Sequence, residues 1–151
     1  MTDVRRLVAE EWELMKDVRL RALADAPENF GSNLAREAAF TEKDWRGRFV
    51  TSVSFVAMDG DKPVGLVGGL LYDGGWVLVA MWVAPEARGK RIAGLLIDAV
   101  VAHAAGQGAP AVSLEVFEGN SSALRAYERY GFVATENGKP GRVQMLYRVA
   151  N

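Results

Sequence analysis

Three cations, Arg88, Lys90 and Arg91, occupy four positions just before an apolar stretch with helical spacing, in VAPEARGKRIAGLLIDAV at 83–100. The run ahead of them, WVLVAMWV, reads as a strand. A strand that feeds the start of a helix presents backbone N–H groups without intrahelical acceptors, together with the positive end of the helix dipole. With cations beside it, that junction is an anion site suited to phosphate. It is not a Walker loop, because G-x-x-x-x-G-K-[ST] is absent. The loose glycine pattern at Gly106, Gly108 and Ala111 follows a helix and precedes a strand, the reverse of the order a dinucleotide site requires.

The remaining residues with chemical potential are few. The absence of cysteine removes a cysteinyl nucleophile, disulfides and thiolate metal sites, and a lone histidine, His103, cannot supply a histidine-based metal centre. No metal is expected. His103 falls on the apolar stripe of the helix and reads as structural. Asn120 precedes SSALRAYERYG and suits a helix N-cap, while Tyr127, three residues from Leu124 and four from Ala123, reads as half-buried. Glu115 lies in the strand AVSLEVF, where alternation puts Leu114 and Val116 on the face opposite it. Asp73 suits the turn DGG, and Glu37 and Glu118 read as solvated acids.

These residues need a scaffold, and 151 residues with 50% hydrophobic and 25% charged side chains suit one compact domain spanning 1–151. Residues 2–8 read as an edge strand, and 9–25 as a helix with Trp12, Met15, Val18, Leu20 and Leu23 on its apolar side and a stop at Pro27. Residues 26–32 read as a loop. A second helical segment, 32–50, is expected to break near Thr41. SFVAM, KPVGLVGGLLY and WVLVAMWV, bounded by DGDK, DGG and APE, form three antiparallel strands. The long helix covers 89–105, and Ile92, Leu95, Leu96, Ala99, Val100 and His103 form its sheet-facing stripe. Strand 111–117, a helix closed by Gly131, and a hairpin of FVAT with RVQMLYRVA at 142–150 complete the order. The fold class is therefore α/β, a mostly antiparallel mixed sheet of about seven strands with four helices. The crossover through the long helix sets strand 111–117 parallel to strand 76–83.

Charge and hydropathy exclude further classes. Eighteen basic against nineteen acidic residues leave a net charge of −1, which argues against broad nucleic-acid binding. No run reaches the roughly 18 apolar residues of a membrane span, and the charged N-terminus lacks a signal core. A cytoplasmic protein without a membrane partner is the expectation.

The segment Val83, Pro85, Arg88, Gly89, Lys90, Arg91, Ile92, Ala93 resembles the coenzyme A signature of the GNAT acetyltransferase superfamily. One position departs from it: Arg91 stands where the family usually has its inner glycine. A second segment resembles the downstream signature N-x-x-A-x-x-x-Y-x-x-x-G-F, with Asn120, Ala123, Tyr127, Gly131 and Phe132 all in place. The resemblance implies the GNAT fold, splayed between its fourth and fifth strands, with acetyl-coenzyme A as acetyl donor and coenzyme A as product. It places the pyrophosphate on the amides of Arg88 to Ala93 and the carbonyl oxygen on a backbone N–H of a bulge around Met81, Trp82 and Val83. Tyr127 would protonate the departing thiolate and Asn120 would bind the cofactor arm.

The resemblance implies acetylation of a primary amine on a small molecule or a peptide N-terminus. Glu115 is the candidate base, because strand 76–83 offers no carboxylate and the twelve-residue step from Glu115 to Tyr127 is similar to that of enzymes acetylating a ribosomal protein's N-terminal alanine. Residues 24–45 and the last hairpin would border the acceptor groove, with Phe30, Glu37, Trp45, Tyr72 and Tyr147 as candidate lining. The family's pattern leaves a homodimer open. The competing reading is a non-catalytic acyl-coenzyme A sensor that kept the cofactor wedge and lost the acceptor chemistry.

Overall fold

A computed structural model describes residues 2–149. In chain order its elements are β1 (Thr2–Arg6), α1 (Trp12–Asp25), α2 (Leu34–Ala38), α3 (Glu42–Thr51), β2 (Ser52–Asp59), β3 (Lys62–Tyr72), β4 (Gly75–Val83), α4 (Ile92–Gly106), β5 (Ala111–Phe117), α5 (Ser121–Tyr130), β6 (Val133–Ala134) and β7 (Arg142–Arg148). The seven strands make one sheet in the order β1-β2-β3-β4-β5-β7-β6. Every neighbouring pair is antiparallel except β4 and β5, whose parallel pairing follows from the crossover through α4.

The expected four helices become five because the second segment breaks at Phe40–Thr41. Thr41 caps α3 with a reciprocal pair of hydrogen bonds, its hydroxyl accepting from the Asp44 N–H while its own N–H donates to the Asp44 carboxylate. α4 starts at Ile92 rather than at 89, because Gly89 and Arg91 both take left-handed backbone angles that a helix cannot contain. β1 stops at Arg6, two residues early, and Ala150, the last residue of the expected final strand, lies outside the described residues. Gly131 ends α5 at φ 123°, and a side chain there would meet the Tyr147 ring.

β3 is buried at every position from 63 to 69, so both its faces are covered, and α1 and α4 both pack on it. Two glycines let α4 come close. A Cβ on Gly65 would lie 3.0 Å from Leu96 Cδ1, and one on Gly69 would lie 3.3 Å from Val100 Cγ1. Leu96, Ile97, Val100 and Ala104 are fully buried on that helix. His103 packs edge-on against Trp76 and Phe55, which is the structural role its place on the stripe implied.

α1 departs from expectation in an informative way. Its buried residues are Met15, Val18, Arg19, Ala22 and Leu23, so a charged residue takes the place expected of Leu20. Among the described residues no helix is long and apolar enough to cross a membrane, and no three potential ligands cluster around a metal position.

Candidate active site

The site begins with a strand pair that comes apart. β4 and β5 are in register only at Trp76–Val112 and Val77–Ser113, and beyond these β4 has no partner on that edge among the described residues. On its other edge β4 carries one extra residue: Leu66 pairs with Trp82 while Gly68 pairs with Val79. This bulge puts Ala80 at φ 60°, a left-handed conformation that costs a non-glycine residue roughly 1–2 kcal/mol. The extra residue turns the strand away from β5 and opens the sheet. The resemblance places the bulge around Met81 to Val83; it sits at Ala80 and Met81, and Trp82 and Val83 are already back in register with β3.

Into the opening runs a cleft of about 580 Å³. Val77 to Met81 line one side of it, and Glu115, Val116, Phe117, Asn120 and Tyr127 line the other. Tyr127 is 6% exposed, stands edge-on to Phe132 at 5.8 Å, and its hydroxyl makes no hydrogen bond among the described residues. Burial pushes its phenol well above the ordinary range, so the ring stays protonated. Asn120 caps α5, its side-chain oxygen accepting from the Ala123 N–H at 3.3 Å. Leu114 and Val116 are buried and Glu115 is not, as alternation required. A loose ion pair joins Glu115 to Arg142 at 3.8 Å, leaving the carboxylate able to take another partner.

The anion site stands apart from this cleft, at the end of β4. Arg88, Gly89, Lys90 and Arg91 are exposed there, and the first N–H groups of α4 follow directly. Gly89 and Gly94 have open space where a side chain would stand, so a pyrophosphate could lie against the backbone. Ile92 is buried and anchors the helix, while Ala93 is half-buried beside the loop. Arg91, the departure from the family pattern, holds the left-handed angle that a glycine would take freely, φ 63° and ψ 21°, with its side chain in solvent. Arg88 is engaged elsewhere: its guanidinium donates to the Asp25 carboxylate at 2.6 Å and to the Val83 carbonyl at 3.0 Å. Asp25 also accepts from the Trp82 indole at 2.9 Å. One carboxylate at the end of α1 therefore clamps the end of β4 and the start of the loop.

The far wall of the cleft holds two arginines that the sequence does not single out, beside the expected Phe30 and Glu37. Arg19 and Arg48 line it with Phe30 and Ser32, and behind them lies Glu37, 1% exposed. Glu37 accepts from Arg19 Nε and Nη2 at 3.0 and 3.1 Å and from Arg48 Nη2 at 2.7 Å. Burial opposes its ionisation, but Arg19 foremost, then Ser32 and Arg48, outweigh it and hold the carboxyl below the usual carboxylate range. Glu37 is thus a buried ion-pair partner, not a solvated acid. Of the other groove candidates Phe30 lines the cleft, Trp45 is fully buried, Tyr72 is exposed, and Tyr147 packs among Tyr130, Phe132 and Gly131. One signal could have found Arg19, since Met15, Val18, Arg19 and Ala22 follow the i, i+3, i+4, i+7 pattern of a buried face.

A model of the acetyltransferase (GNAT) family matches residues 13–132. No curated protein matches the sequence. Among solved structures, an N-acetyltransferase (PaiA) from Thermoplasma acidophilum, in complex with coenzyme A, is 15% identical, with a TM-score of 0.80, 98% of this chain covered and 99% of that one. A spermidine N-acetyltransferase from Vibrio cholerae, in complex with coenzyme A and spermine, is 17% identical, with a TM-score of 0.74 and coverage of 98% and 95%. A ribosomal-protein alanine N-acetyltransferase from Escherichia coli is 15% identical, with a TM-score of 0.73 and coverage of 100% and 96%. At these identities the likeness is one of fold.

Proposed function

Because this chain belongs to the GNAT acetyltransferase family, we propose that it moves the acetyl group of acetyl-coenzyme A directly to a primary amine of a small molecule or a peptide N-terminus. The observation that carries this reading is the opened β4 edge. A bulge at Ala80, a strand pair lost beyond Val77, and Tyr127 and Glu115 on the same cleft together make a place for an extended arm and for proton transfer at its end.

The bound coenzyme supplies an activated acetyl thioester. The amides at Arg88 to Ala93, with Lys90 and Arg91, would hold its pyrophosphate, and Asn120 would border its arm. Glu115 takes a proton from the amine nitrogen as the C–N bond forms. A backbone N–H of the bulged segment, Met81 foremost, meets the carbonyl oxygen as it gains charge. Tyr127 gives its proton to the sulfur as the C–S bond breaks, and regains one from solvent. Direct attack is favoured, since no cysteine is present to carry the acyl group.

Incubation with acetyl-coenzyme A and a panel of amines tests the proposal by release of free thiol. Release that depends on an amine is expected. Thermal stabilisation by the coenzyme with no thiol released from any acceptor would instead make the chain an acyl-coenzyme A sensor.

A further inference from the structure

We propose that the acceptor carries a carboxylate close to its reactive amine, as an amino acid does, and that Arg19 and Arg48 bind that carboxylate. The inference rests on the cleft being an acetyl-transfer site and names the class of molecule it accepts.

The argument starts from an imbalance of charge and of hydrogen bonds. Two guanidinium groups face one carboxylate, and Glu37 already accepts three charged hydrogen bonds from them. One positive charge is left over. Arg19 is only 8% exposed, and its Nη1 is buried with no hydrogen-bond partner. An unsatisfied buried donor on a charged group is costly, and native structures keep few of them without a reason. Phe30 covers the Arg19 guanidinium at 4.8 Å, fixing its plane, and Trp45 does the same for Arg48 at 4.6 Å. The arginines are therefore held rigid, partly dehydrated and short of an anion, on the wall of the cleft that holds Glu115 and Tyr127.

Burial chiefly, with like charge from Arg19 and Arg36, pulls the Arg48 guanidinium below its ordinary range against the attraction of Glu37. A second carboxylate would relieve that strain. The charged residues on the cleft wall are Arg19, Arg48, Arg142 and Glu115, and with Glu37 directly behind the arginines the site holds three cations to two anions, one positive charge in excess. Such a wall repels a second ammonium, so a polyamine of the kind bound to the Vibrio cholerae structure fits it poorly. An arginine fork matches a carboxylate through two parallel hydrogen bonds, which also orients the neighbouring amine.

The test compares acceptors that differ only in the carboxylate. Each of the twenty amino acids, its carboxamide and its decarboxylated amine, together with spermidine, is assayed with acetyl-coenzyme A for thiol release. The amino acids and their carboxamides are also measured for binding by calorimetry in the presence of coenzyme A. At least one amino acid should exceed its carboxamide by about 10-fold or more in kcat/KM, the scale of one charge-assisted hydrogen bond. Arg48→Gln should bring that ratio toward one through the acceptor KM rather than kcat. Arg19→Gln would leave Glu37 poorly paired and could fail to fold, so the half-exposed Arg48 is the informative site.

Equal use of acid and amide, a preference for the decarboxylated amines or spermidine, or a preference that survives Arg48→Gln would overturn the inference and leave acetyl transfer standing. Succinyl-coenzyme A used better than acetyl-coenzyme A with a neutral amine, and losing that advantage in Arg48→Gln, would move the carboxylate to the acyl group and overturn it too. If no amine releases thiol, the transferase reading fails and calorimetry decides. Amino-acid binding lost in Arg48→Gln would still support the carboxylate site, and no binding would sink it.

Discussion

Burial makes the Tyr127 proton hard to lose, and in the proposed transfer that proton goes to the departing thiolate. Substituting Tyr127→Phe removes one hydroxyl from a ring that packs on Phe132, so the fold and the coenzyme site should survive. We expect kcat to fall by about 10²-fold or more, the usual scale of a lost general acid, with the dissociation constant of acetyl-coenzyme A within about threefold of wild type by the same reasoning. Unchanged turnover would remove Tyr127 from the mechanism. The raised pKa also has a stability consequence. A phenol whose folded pKa lies above its unfolded value contributes stability that is complete below about pH 10 and lost as pH rises beyond it. Thermal melts of the wild type should drop above about pH 10, and more steeply than those of Tyr127→Phe, whose ring cannot ionise. Parallel profiles would show the phenol to be better solvated than its burial implies.

At the scale of elements, the loop between β4 and α4 separates two properties of one residue. Arg91 combines backbone strain at φ 63° with a charge at a helix N-terminus. Arg91→Gly removes both, while Arg91→Ala removes only the charge. Relief of the left-handed angle, less the entropy glycine adds to the unfolded chain, should leave Arg91→Gly about 1 kcal/mol more stable, roughly 2–4 °C in Tm. Arg91→Ala should gain nothing. Both should weaken coenzyme binding several-fold with a reduced salt dependence, and unaltered affinity in both would take the side chain out of phosphate binding. Asp25 offers a second test, because it joins α1 to β4 and the loop through Trp82 and Arg88. Asp25→Ala leaves the buried Trp82 indole N–H without its acceptor, which should cost about 1–3 kcal/mol and raise the KM for acetyl-coenzyme A. A stability loss with no change in that KM would make the clamp purely structural.

For the molecule as a whole, the network of Arg19, Glu37 and Arg48 joins the first helices to the far wall of the cleft. Glu37→Gln would leave two guanidinium groups facing no anion, and breaking such a buried pair typically costs about 3–5 kcal/mol. Because the Glu37 pKa is depressed by folding, its contribution is present above the unfolded value near pH 4 and is lost as pH falls through the folded one. The wild type should lose stability on acidification below about pH 4, and Glu37→Gln should lack that component. Equal acid profiles would show that the network contributes little. Features that depend on neighbours along the chain are legible in the residues alone: the strand-to-helix junction at 83–92, the cap at Asn120, the stop at Gly131 and the alternation around Glu115. Those features follow from period, capping and turn chemistry within a few residues. The rest arises from contacts between separate elements of the chain. The bulge at Ala80 is a mismatch between two strands, so no pattern within one strand marks it. Arg19, Glu37 and Arg48 come from three separate helices, and their pairing exists only once those helices pack around the cleft and withdraw water from the charges they share.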